Sequence, residues 1–278
     1  MADGVHTTTG NLLQAVELAP ALVLKSAPNG IRYASFGDTK VADSELDRII
    51  QAVPTVIASA MSGRAFYFVP LAIPEGMAEA RGEAHRTASD RTLISPVYTS
   101  ELSDEAICHR NVSVPASAAS PAHEGVFISA RLLRDNFALA FEFFINVGHV
   151  FSGEAGIPEA FISLAWAQAV ADVRGETSQD AWESRHQAIA GPPHLVSNMP
   201  DRSQPDEKAK SEFLDSAFAD AVAIYMLSLA VDFDYSELRE REYPLLAPSA
   251  LADRLRLMAH LFPPNPGYEF SIRYRRRA

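Results

Sequence analysis

Residues Asn136 to Phe151 constrain this 278-residue chain more than any other stretch, because they carry apolar side chains on almost every face of a helix. Phe137, Phe141, Phe143, Phe144, Ile145, Val147, Val150 and Phe151 leave little polar surface, and a helix apolar all round is a buried one. Asp135 is placed to cap its N-terminus, and Gly153 suits the left-handed residue just past its end. Glu142, Asn146 and His149 interrupt the apolar cylinder at spacings of four and three, so they share one face. The plain structural reading of His149 is a core histidine hydrogen-bonded to a neighbour.

The elements around this helix follow from the same periodicities. Leu46, Ile49, Ile50, Val53, Ile57 and Met61 recur at helical spacing from Asp43, with Pro54 as a kink or restart. Arg64 to Ile73 reads as an apolar, aromatic strand. Residues 74 to 122 are rich in charged and small residues and prolines, with short strands only at Leu93–Tyr98 and Asn111–Val114. A strand from Gly125 to Ser129 leads into the central helix. Helices are expected at Pro158–Arg174, Ser178–Ala188, Lys208–Leu229 and Ser249–Leu261, and a short terminal strand at Tyr268–Tyr274. Asp215 and Asp220 are the polar exceptions on the Lys208–Leu229 helix. These elements amount to an α+β fold, helix-rich with a small mixed sheet and a buried central helix. The segmentation is an N-terminal arm at 1–40, one domain at 41–262 and a tail at 263–278.

Composition narrows the function classes. A net charge of -11 argues against nucleic-acid binding, which needs clustered Lys and Arg. The basic run Arg273 to Arg277 reads as a solvated tail. No apolar run reaches the length of a membrane span, and no basic-then-apolar leader opens the chain. The expected location is therefore the cytoplasm, or outside it by a route without a cleaved signal peptide. Cys108 is the single cysteine, too few for an internal disulfide or a cysteine-rich zinc site.

Ile145-Asn146-Val147-Gly148-His149 resembles the zincin helix motif His-Glu-x-Gly-His with its first two positions changed. Ser216-Ala-Phe-Ala-Asp220-Ala-Val is similar to the Glu-Phe-Phe-Ala-Glu-Ala-Phe helix of the lethal-factor-like branch of those metallopeptidases. The resemblance covers about Arg64 to Leu229 and implies a zincin-like fold. It also implies that the Gly125–Ser129 strand is the edge strand of a substrate cleft facing the central helix. In that family two histidines four apart and a distant carboxylate hold zinc, and the motif glutamate takes a proton from the zinc-bound water.

Carried over position by position, the first histidine becomes Ile145, which has no lone pair. The base becomes Asn146, which accepts no proton at neutral pH. The third ligand becomes Ser216. His149 and Asp220 remain. The resemblance therefore implies an inactive peptidase, a degenerate HExxH protein working as a binding or regulatory module. No cofactor is expected, and zinc or iron would enter only if a site were rebuilt around His149. A peptide or small molecule would occupy the cleft, against Ile145, Asn146, Ser216, Tyr225 and Phe127. The rival reading is an enzyme that reuses the cleft, with His149, Glu142 and Asp220 as acid–base residues. A toxin or effector delivered into another cell is the further alternative.

Overall fold

A computed structural model describes residues 12–37, 43–72, 92–95, 108–118, 120–129, 136–190, 205–238 and 243–272. The protein is α+β, with helices α1 to α8 and strands β1 to β8 among those residues. They form two compact units where the sequence reading takes 41–262 as one domain. The first contains the described residues of Met1–Gln51 and Met61–Glu142, the second those of Ala52–Ala60 and Phe143–Ala278.

The first unit holds both sheets. The strands β2 (Lys25–Ser26), β3 (Arg32–Ser35), β4 (Arg64–Val69), β7 (Cys108–Val114) and β8 (His123–Ser129) form a five-stranded sheet in the order β2-β3-β4-β8-β7. β3, β4 and β8 run parallel, and β2 and β7 are antiparallel to their neighbours. β1 (Leu13–Gln14), β6 (Leu93–Ile94) and β5 (Leu71–Ala72) make a small antiparallel sheet. The stretch expected as an N-terminal arm is thus built into both sheets.

β8 is not an edge strand. It pairs with β4 on one side and β7 on the other, and its unbroken apolar run Gly125 to Ile128 is what a strand buried on both faces requires. Among the described residues β7 lies at the end of the sheet beyond β8, opposite β2, and it is bulged between His109 and Val112 with Asn111 at φ 58°. Ala15 and Ala19, from α1 (Ala15–Leu18) and the 3-10 turn after it, pack with Tyr67, Val69, Val112, Val114 and Phe127 into a core. The helix expected from Asp43 to Met61 ends at Gln51 as α2 (Asp43–Gln51), because Pro54 has no N–H to continue the ladder.

The second unit is helical. Pro54 is the N-cap of α3 (Thr55–Ser59). The central helix α4 (Asn136–Ala155) enters this unit at Phe143, followed by α5 (Glu159–Val170), α6 (Gln179–Ala190), α7 (Glu207–Ala230) and α8 (Pro248–Leu261). α4 runs through Gly153, and its left-handed terminator is Gly156 at φ 72°. Asp135, its expected cap, lies outside the described residues. Asp206 caps α7, accepting from the backbone N–H of Lys208 and Ala209 at 3.0 and 3.1 Å. α8 begins with Pro248 after Ala247, so Ser249 is not its cap. α7 is long and apolar enough to cross a membrane, but 78% of its apolar window is buried inside the fold. Every residue from Ala217 to Leu227 is buried.

Residues 268–272 are not a strand. Tyr268 turns back to the carbonyl of Asn265, and Phe270 packs edge-on against Tyr225 at 5.4 Å, so the alternation at the C-terminus reflects side-chain docking.

Candidate functional site

The residues expected to form a site are divided between the two units and differ widely in exposure. On α4, Asn146 is buried, Ile145 and Glu142 are half-buried, and His149 is exposed, so His149 is not a core histidine. The helix packs on α7 at Gly148, where an added Cβ would run into the carbonyl oxygen of Ala219. One turn on, Ser152 donates to Asp215 of α7 at 3.3 Å. Ser216 is half-buried on α7. Phe127 is fully buried in the core of the first unit, its ring 4.6 Å from that of Tyr67. Tyr225 is likewise buried: its hydroxyl donates to the carbonyl of Phe262 at 2.7 Å, and desolvation pushes its pKa up to about 12.

Asp220 leads to a different centre. Its carboxylate accepts from the Thr177 hydroxyl at 2.8 Å and from Ser178. Ser178 in turn accepts from the backbone N–H of Ala181 at the start of α6. Burial raises the Asp220 pKa to about 6, and Glu176 pushes it the same way, against the pull of the two hydroxyls and Arg254.

The loop carrying Glu176 is held by its backbone. Asp172 and Gly175 take positive φ values of 52° and 80°. A Cβ at Gly175 would overlap the carbonyl oxygen of Leu245, so only glycine fits there. Glu176 N–H donates to Pro244 O at 3.0 Å, and Leu246 N–H donates to Glu176 O at 2.9 Å, a parallel bridge that turns the Glu176 side chain inward.

Around that side chain lies the ionic core of the second unit. Arg254 of α8 and Glu176 are both 0% exposed. Arg254 grips Glu176 through Nη1 and Nη2 at 2.9 and 3.2 Å, and its Nε donates to Gln168 Oε1 of α5 at 2.8 Å. Arg185 of α6 is 3.4 Å from Glu176 and also donates to the carbonyls of Val173 and Gly175. Gln168 passes its amide N–H to Ala250 O at 3.1 Å. Removed from water, such charges persist only when paired and fully hydrogen-bonded, and these are. The arrangement ties α5, α6, α7 and α8 to one loop, with Asp220 at its margin.

Sequence reasoning singles out Asp220 but not Glu176, Arg185 or Arg254. A signal for Arg254 exists: it falls on the stripe of Leu251, Leu255 and Met258, where a charge is out of place on an apolar face. Among the described residues no three His, Cys, Asp or Glu side chains gather as one ion would require. No protein-family model matches the chain, and no curated protein matches it.

Proposed function

We propose that this chain is a zincin-like protein without peptidase chemistry, a binding or regulatory module that holds an extended peptide and does not cut it. What carries the reading is the chemistry of α4. At the two positions that offer imidazoles in the resembling motif, it has Ile145 and His149, with Asn146 where a base would stand. Isoleucine coordinates nothing and an amide takes no proton, and loss of a general base alone costs about 10²–10⁴ in rate.

The strand for such a peptide is β7 rather than β8. β8 has a neighbour on each side, whereas among the described residues β7 has β8 alone. An added segment would pair with Val112 to Val114, beyond the bulge, by main-chain hydrogen bonds. A random peptide library panned on the full chain, followed by hydrogen–deuterium exchange with an enriched peptide, tests this. Slowed exchange across 108–114 with the peptide left intact is expected. Cleavage of the peptide that is lost in His149→Ala, or protection confined to the helices of the second unit, would overturn it.

A further inference from the structure

We propose that the outward face of α5 is a self-association surface, on which a second copy of this chain docks its own α5 antiparallel about a twofold axis. The observation behind this is a missing polar face. From Ala160 through Ala171 the helix and its cap carry no charged side chain, although Ala160, Ser163, Ala167, Val170 and Ala171 are exposed and Ile162, Leu164 and Trp166 only half-buried. Spacings of three, four and three put Ala160, Ser163, Ala167 and Val170 along one stripe. Val170 is 65% exposed. A surface helix ordinarily turns charges to water. The other long helices of this unit do so: α6 with Asp180 and Glu183, α7 with Lys208 and Glu212, α8 with Asp253 and Arg256.

Charge at the two ends of this face selects the partner. Glu159 at the start of α5 and Arg174 just beyond its end are both exposed, and among the described residues neither has an ion-pair partner. The acid at the Arg174 end, Asp172, is 3.5 Å from Arg185. An antiparallel pair centred between Trp166 and Ala167 brings Glu159 of each copy to the end that carries Arg174 of the other, so both charges are matched twice. The same register sets Val170 against Ser163, a branched side chain over a small one, and Ala167 beside the axis lets the helices approach closely. A chain of net charge -11 repels its own copies, and an uncharged face is where two of them can meet. α5 is 12 residues long, roughly 18 Å, which places the surface at the small end of protein interfaces and makes the association a weak one.

The test is sedimentation velocity of the full chain at concentrations from about 1 μM to 1 mM, the range in which a weak dimer dissociates. The wild type should pass from monomer to dimer across that range. Ala167→Lys makes the chain less negative but puts two ammonium groups beside the axis, and it should leave a monomer throughout. Glu159→Lys and Arg174→Glu should each weaken dimerisation roughly twofold to thirtyfold, the range of two exposed ion pairs. An equal mixture of those two variants should regain the dimer, because each chain then offers the charges that the other lacks. Urea midpoints near the wild type's are expected for all three, since the positions are exposed. A wild type that stays monomeric at the highest concentration, a dimer that persists in Ala167→Lys, or a mixture no more associated than its separate components would overturn the proposal. The wild-type and mixture results decide the matter even if Ala167→Lys fails to fold.

Discussion

Gly148 of α4 lies so close to Ala219 of α7 that a single added carbon would overlap the Ala219 carbonyl oxygen. The glycine of the Ile145–His149 phrase thus has a packing role that needs no catalysis. Gly148→Ala sets two effects against each other. Alanine favours the helix by up to about 1 kcal/mol, but overpacking against backbone costs about 1–3 kcal/mol. The second wins because a carbonyl in a buried helix cannot swing aside, and urea unfolding should show net destabilisation.

Arg254 and Glu176 should show strong coupling. Arg254→Met alone leaves the Glu176 carboxylate buried with only the longer Arg185 contact, at a cost of about 3–5 kcal/mol. Glu176→Met added to it removes the stranded charge. The double variant should therefore be more stable than the sum of the single losses, by a margin that a double-mutant cycle in urea measures. Simple additivity would mean that the pair does not organise this core.

Much of the helical layer was legible because it is written locally. Pro54 in mid-pattern and the apolar periods of α5 and α7 each act within a turn or two of chain. The pairing of β8 is a long-range fact, yet its continuous apolar run already argues for an interior strand, and reading it as an edge came from the family likeness. Gly153 and Gly156 compete as stop signals, and only the second takes positive φ. Glu176 was invisible for a physical reason: in Arg174-Gly-Glu-Thr-Ser it looks like a solvated loop residue, and its partners are contributed by α6 and α8. His149 was misplaced because the face it shares with Glu142 and Ile145 is the least buried side of α4.

Asn265 clasps the start of α3. Its side-chain oxygen accepts from the Thr55 N–H at 2.9 Å and the Thr55 hydroxyl at 2.7 Å, while its N–H donates to Val53 O at 2.7 Å. Asn265→Ala removes a cap supplied by a residue remote in sequence. The expected loss is about 1–2 kcal/mol, with faster amide exchange at 55–58. Unchanged exchange there would show that α3 is held by its apolar residues alone.

Alkaline pH should act through Tyr225. Its folded pKa of about 12 lies above the ordinary tyrosine value of 10.0, so its contribution is full below the lower value and declines as pH rises through the upper. Tyr225→Phe gives up the hydrogen bond to Phe262, worth about 1 kcal/mol near neutrality. The variant should be the less stable of the two at pH 8 and should close the gap above about pH 11. A gap independent of pH would mean that the lost hydroxyl acts through packing.

The likeness to zincin helices can be tested by restoring the missing groups. Ile145→His, Asn146→Glu and Ser216→Glu together give α4 two imidazoles four residues apart and α7 a carboxylate, the ligand types that hold catalytic zinc. Asn146 is buried, so a glutamate there without metal is a stranded carboxylate, and the triple variant should melt below the wild type in chelator. Zinc at one hundred times its dissociation constant would return about 2.7 kcal/mol. Mass spectrometry of the purified variant should find close to one zinc per chain, and adding His149→Ala should abolish it. A triple variant that folds but neither binds zinc nor gains stability from it would remove the zincin alignment of α4 and α7, leaving the ionic core around Glu176 as a feature of an unrelated helical unit.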